Sequence, residues 1–152
     1  AILYSDDAHA IGVLGEMGLG LNYGRTAIDL SVGTFGKSFG AFGAFVGCSE
    51  SLRNYLINYC PGFIYTTSLP PAVIGAIDAA CDIIPGMEKE RAVLKKNIRY
   101  FRDRITDMGF ETIPSDSQIV PVIVGSEQEA MNLSQYLEEE GFLVISIRLL
   151  TV

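Results

Sequence analysis

The sequence predicts an α/β fold, and three observations carry the prediction. Short apolar runs of strand length occupy residues 2–5, 28–33 and 44–47. Apolar residues at helical spacing follow over residues 49–59, 72–84 and 87–109. Polar side chains gather where the first run ends, at Asp6, Asp7 and His9, and in open α/β sheets the carboxyl end of a strand is where ligands sit.

The elements take their limits from capping and breaking residues. The first run reads as a buried parallel strand, and a loop punctuated by Gly12, Gly15, Gly18, Gly20 and Gly24 follows it. These glycines invite a dinucleotide reading, but the strand-GxGxxG-helix context that would support it is absent. Strands at residues 28–33 and 44–47 flank a glycine-rich turn with Lys37 at its centre. Ser49 is placed to cap a helix running to Tyr59, which Pro61 and Gly62 close. Pro70 and Pro71 suit the first turn of a helix over residues 72–84, and Pro85 and Gly86 break or kink it.

Met87, Leu94, Ile98, Phe101, Ile105 and Met108 place one apolar stripe on a long helix ending near Gly109, as core or inter-domain packing. A strand at residues 119–124, a helix with Ser126 and Glu129 as a capping box, a stop at Gly141 and a strand at residues 142–148 complete the chain. This last section has its own apolar faces, so a domain boundary is expected within residues 85–91, dividing the chain into residues 1–88 and 89–152.

Composition excludes several function classes. The 152 residues, 49% hydrophobic, are long enough for one ordinary domain with a sizeable core. The chain nevertheless opens inside one apolar run and stops just after another, which reads as a piece of a larger protein. A net charge of −7 without a basic block leaves nucleic-acid binding without an electrostatic source. No apolar stretch approaches the roughly 20 residues that cross a bilayer, and no signal peptide is evident, so a cytoplasmic protein without membrane partners is expected. Cys48, Cys60 and Cys81, with a single histidine in the chain, suggest neither a zinc cluster nor a disulfide framework, and read as reduced core residues. No metal site is expected.

The stretch GTFGKSFGAFGAFVG organises the chemistry. Its glycines let the backbone approach a ligand closely, and Lys37 stands among small and aromatic neighbours where its charge is costly, which makes it a candidate nucleophile. A plain turn carrying an exposed lysine is the alternative. Asp6 and His9 lie three apart, Thr34 precedes Lys37 by three, and Tyr65, Thr66, Thr67 and Ser68 supply further hydroxyls, which could instead cap the next helix. Together these groups match the demands of pyridoxal phosphate: an amine for its aldehyde, a carboxylate for its ring nitrogen and hydroxyls for its phosphate.

The segments DDAHAIGVLG, GTFGKSFGAFGAF, YTTSLPPA and SIRLLTV resemble the α-oxoamine synthases, pyridoxal phosphate enzymes of fold type I, in the family's order and across essentially the whole chain. The resemblance implies that residues 1–88 are the C-terminal half of a cofactor-binding large domain, and that residues 89–152 begin an α+β small domain. It makes Lys37 the Schiff-base lysine, Asp6 the partner of the pyridinium nitrogen and His9 the donor to the ring's phenolic oxygen. Thr34 binds the phosphate in cis, and Thr66 and Thr67 reach the phosphate of a neighbouring subunit, implying a homodimer with shared active sites.

The implied reaction condenses an amino acid with an acyl-CoA or acyl-carrier-protein thioester, with decarboxylation to an α-oxoamine. The likeness is greatest to the branch that serves biotin synthesis, which implies L-alanine and a pimeloyl thioester; glycine with an acetyl thioester is the alternative. Leu149 and Leu150 stand where the family usually has prolines, which leaves Arg148 as a candidate contact for the substrate carboxylate. The family's N-terminal half supplies the ring-stacking aromatic and further phosphate contacts, so the full-length parent is the expected enzyme and the piece alone is expected to be inactive.

Two rivals come from other classes. SVGTFGKS misses the P-loop pattern only at its first glycine, but no Walker B partner follows. A catalytically silent subunit that binds an active partner would have no need of Lys37.

Overall fold

The computed structural model describes residues 1–148; Leu149 and Leu150 lie outside them. The chain divides into two compact units, Ala1–Val93 and a second beginning at Leu94, so the division falls inside the long helix that the apolar stripe predicts.

In the first unit, β1 (Tyr4–Asp6), β2 (Leu30–Thr34) and β3 (Ala44–Cys48) form one sheet in that order. β1 and β2 run parallel with Asp6 opposite Val32, and β3 returns antiparallel with Ala44 opposite Thr34. Residues 7–29, which join the parallel pair, hold turns and a 3-10 turn at Glu16–Gly18 but no α-helix. The dinucleotide reading therefore lapses, because no helix N-terminus faces these glycines.

The expected first strand is real and parallel but not buried. Ile2, Leu3 and Tyr4 are exposed, because β1 is an edge strand paired only with β2 among the described residues. The expected sizeable core is also thin. Ala10 and Ile84 are the buried apolar side chains among the described residues, each still 7% exposed, while the helices leave much apolar surface open.

Helix α1 (Glu50–Tyr59) begins as its capping residue predicts, with the Leu52 N–H donating to Ser49 Oγ at 3.3 Å. A one-turn helix, α2 (Pro61–Ile64), follows, and then α3 (Pro71–Ile83) with Pro71 in its first turn. A 3-10 turn at Ile84–Gly86 separates α3 from α4 (Glu88–Asp107), where Pro85 has no N–H to continue the helical ladder. Arg91 closes this bend. Its Nη1 donates to the Ile84 carbonyl at 2.8 Å and its Nη2 to the Pro85 carbonyl at 3.0 Å, while Glu88 pairs with it at 2.9 Å.

In the second unit, β4 (Glu111–Thr112) pairs antiparallel with β5 (Val122–Ile123), and α5 (Glu127–Glu139) follows. The capping box at Ser126 and Glu129 is complete in both directions. β4 escaped the sequence reading because two residues carry no periodicity. The strand expected over residues 119–124 shortens to two residues, since Pro121 cannot donate to a ladder. The strand expected over residues 142–148 is absent. This segment is instead held to α5, through the Phe142 N–H on the Leu137 carbonyl at 2.7 Å and Ser134 Oγ on the Val144 carbonyl at 2.5 Å.

Along α4, Leu94, Ile98 and Ile105 are half-buried, whereas Phe101, and Met108 just past the helix end, are exposed. Phe101 joins Val122, Leu133, Leu137 and Val144 in lining an apolar groove of the second unit. Cys48, Cys60 and Cys81 carry free thiols, but Cys48 and Cys60 are half-buried and Cys81 is exposed, so none is a core residue. No described helix is long and apolar enough to cross a membrane.

Candidate active site

Asp6 closes β1 and Thr34 closes β2, and because these strands run parallel both residues stand at the same, carboxyl, end of the sheet. The loop of residues 35–43 that follows Thr34 carries Lys37. One end of one sheet thus presents a carboxylate, a hydroxyl and, three residues on, an amine.

Alternation along β1 decides which of two adjacent carboxylates is available. Asp7 turns inward and is buried, taking the Asn22 N–H on Oδ2 at 3.1 Å, while its own N–H continues the ladder to the Val32 carbonyl at 2.7 Å. Asp6 turns outward and stays exposed, its Oδ1 oriented by the Ala8 N–H at 2.9 Å. His9 follows in an exposed turn. Asn22 reinforces this end of the sheet: its amide accepts from Ser5 Oγ at 2.9 Å and donates to Ser31 Oγ at 2.7 Å, bridging facing residues of β1 and β2. The residue pattern placed Asp7 beside Asp6 and His9 without showing that it turns inward, and it did not single out Asn22, because their partners are not near neighbours in sequence.

Lys37 is exposed, which corrects the expectation that its neighbours make its charge costly. The aromatics turn to one another instead: Phe35 meets Phe39 edge-on at 5.3 Å and Phe45 at 5.4 Å between ring centroids. Among the described residues, the Lys37 amine has neither an ion-pair nor a hydrogen-bond partner. Ser38, next to it, donates through Oγ to the Ile11 carbonyl at 2.5 Å and so ties the lysine loop to the loop that carries His9.

Thr34 Oγ1 donates to the Gly43 carbonyl at 3.0 Å and accepts the Gly36 N–H at 3.2 Å. The Gly43 carbonyl also receives the Phe35 N–H at 2.9 Å, so the Thr34 hydroxyl proton can turn to another acceptor without leaving that carbonyl unsatisfied. Thr66 and Thr67 lie exposed between α2 and α3. They do not cap α3, whose N-cap is Pro70 with no side-chain bond. Leu69 packs on Gly43, which brings this segment against the lysine loop.

Arg148 lies in the second unit, where its Nη1 contacts Met131 Sδ at 3.8 Å. Among the described residues no group of histidine, cysteine and carboxylate side chains is arranged to hold a metal ion.

The fold recurs in solved enzymes. The 8-amino-7-oxononanoate synthase of Francisella tularensis matches with a TM-score of 0.87 and 30% identity, over 96% of this chain and 45% of that one. A serine palmitoyltransferase solved with pyridoxal phosphate matches with a TM-score of 0.88 and 29% identity, over 100% of this chain and 39% of that one. The fold is thus the α/β architecture of the fold type I pyridoxal phosphate-dependent transferases, as the resemblance implied.

The chain belongs to the aminotransferase class I and II family, whose profile matches residues 1–152. A relative from Desulfosudis oleivorans is 54% identical over 148 residues, covering 97% of this chain. The 8-amino-7-oxononanoate synthase of Gluconacetobacter diazotrophicus is 47% identical over 152 residues, covering 100%. The chain spans 38% of the length of each of these relatives.

Proposed function

We propose that the full-length protein is a pyridoxal phosphate-dependent C-acyltransferase of the α-oxoamine synthase type, acting in biotin synthesis on L-alanine and a pimeloyl thioester of coenzyme A or carrier protein. The observation that carries this reading is the Lys37 amine, unpartnered among the described residues, on the loop that leaves the sheet end where Asp6 stands. The donor set fits the cofactor: an available amine, an oriented carboxylate, a histidine and a hydroxyl free to exchange its acceptor.

When bound, pyridoxal phosphate supplies a ring that accepts the electron pair left when the amino acid loses its α-proton. Lys37 Nζ would hold the cofactor's aldehyde carbon, and as a free amine it would take the substrate's α-proton, a general-base contribution of roughly 10²- to 10⁴-fold. Asp6 keeps the ring nitrogen protonated, and His9 donates to the ring's phenolic oxygen. Thr34 turns its hydroxyl from the Gly43 carbonyl to the phosphate. Thr66 and Thr67 serve the phosphate of a second subunit, which makes the protein a homodimer with shared sites. Arg148 receives the substrate carboxylate. Residues 1–88 then belong to the large domain, residues 89–152 begin the small one, and the enzyme works in the cytoplasm.

The acyl and amino substrates rest on relatedness. Relatives named as putative 8-amino-7-oxononanoate synthases reach 54% identity, which supports the biotin branch, whereas the solved enzyme of that name and a serine palmitoyltransferase stand level at 30% and 29%. The test uses the full-length protein. Borohydride reduction and peptide mapping should leave a pyridoxyl group on Lys37, and Lys37→Ala should abolish both the adduct and turnover. Alanine, glycine and serine offered with pimeloyl, acetyl and palmitoyl thioesters should yield the product of alanine and pimeloyl, identified by mass. Reaction confined to glycine and acetyl thioester would assign the other branch of the family, and absence of the pyridoxyl adduct would overturn the cofactor assignment itself.

A further inference from the structure

Lys37 must hold its place relative to Asp6 and His9, yet it rides on a nine-residue loop, residues 35–43, whose internal bonds are few. Within that loop the Gly40 N–H reaches the Lys37 carbonyl at 3.0 Å and the Ala41 N–H reaches the Phe35 carbonyl at 2.8 Å. These bonds shape the loop but do not locate it. The hydrogen bond that does so comes from Ser38, whose Oγ donates to the Ile11 carbonyl, 27 positions earlier in the chain.

The seat for this bond is cut into the backbone at Gly12. A Cβ built there would lie 2.8 Å from Ser38 Cβ and closer still to Ser38 Oγ, so only glycine admits the serine. Gly12 also has a φ of +82°, a conformation that other residues rarely adopt. The neighbouring turn is braced as well, with the Gly12 N–H on the Gly18 carbonyl at 2.6 Å. The serine thus meets a carbonyl held from behind, two residues beyond His9.

We infer that Ser38 is a positioning residue, its hydroxyl latching the Lys37 loop to the His9 loop so that the amine stays aligned for proton transfer at the substrate's α-carbon. The role in proton transfer rests on the function proposed above; the latch itself does not.

The two parts are therefore tested separately in the full-length protein. Hydrogen exchange on the cofactor-free dimer reads the latch. Ser38→Ala should speed amide exchange about fivefold in peptides covering both loops, as expected for one lost hydrogen bond, while Ser38→Thr retains the parental rates. Unchanged exchange in Ser38→Ala would overturn the latch, and so would equal acceleration in Ser38→Ala and Ser38→Thr, because the hydroxyl would then be irrelevant.

On the loaded enzyme, Ser38→Ala should lower kcat about fivefold with little change in KM for the amino acid, and Ser38→Thr should restore it. A rise in KM alone would overturn the positioning role. A parental protein without a pyridoxyl adduct on Lys37 would defeat the functional reading and leave the exchange result standing.

Discussion

Phe45 lies across Gly33. The two residues face each other between β2 and β3, and the phenyl ring occupies the space where a Cβ on Gly33 would stand. A large ring covering a bare backbone position packs the hairpin that presents Lys37, and the same ring meets Phe35 at 5.4 Å. Gly33→Ala should therefore destabilise the full-length protein by about 1–3 kcal/mol, the usual cost of overpacking, as read by urea unfolding. An alanine variant with parental stability would show that the ring moves aside without cost.

Asp6 is oriented by one backbone N–H and otherwise exposed, so removing its charge should leave the fold intact. Asp6→Asn is expected to lower kcat by about 10²-fold or more while cofactor affinity changes far less, because the lost charge acts on the developing electron pair and not on docking. Equilibrium titration of cofactor alongside single-turnover rates separates the two effects.

Asp7 should behave in the opposite way. It is buried and accepts the Asn22 N–H, so Asp7→Ala strands a part-buried donor in the loop beside the sheet and should cost about 1–3 kcal/mol of stability. Thermal unfolding of Asp7→Ala beside Asp6→Ala checks the contrast, and equal losses would contradict it.

Thr34→Val keeps the shape and removes the hydroxyl. The Gly43 carbonyl keeps its Phe35 N–H, so stability should change little, whereas cofactor affinity should fall about 10- to 100-fold if the hydroxyl serves the phosphate. Pyridoxal, which has no phosphate, should bind parent and variant alike.

Glu129 couples the first turn of α5 to pH. The Ser126 side chain, and then its backbone N–H, donate to its carboxylate and hold its pKa below the ordinary 4.5. With the folded value depressed, the stabilisation is present above the unfolded value and is lost as pH falls through the folded one. Glu129→Ala should thus speed hydrogen exchange in the first turn of α5 at neutral pH. The difference from the parent should vanish as pH drops below 4.5 and through the lowered value.

Legibility followed the distance between partners. Ser49 and Ser126 cap helices three residues away, and both caps formed where the sequence placed them. The hairpin around Lys37 was equally plain, because glycines separate two apolar runs. The strand expected at residues 142–148 failed for the complementary reason. Apolar residues supply a tendency to extend, but a strand also needs a neighbour's free backbone groups, and here α5 takes the segment's hydrogen bonds instead.

The sequence by itself determined the α/β class and the order of the longer elements, though not α2 or β4, and it pointed to the candidate set of Lys37, Asp6, His9, Thr34, Thr66 and Thr67 through residue type, short spacing and family resemblance. Tertiary structure alone decided that Asp7 turns inward while Asp6 stays available, that the phenylalanines pack together and leave Lys37 exposed, and that Ser38 reaches back to Ile11. Those choices depend on contacts between residues far apart in the chain, and such contacts exist only once parallel strands and returning loops have brought them together.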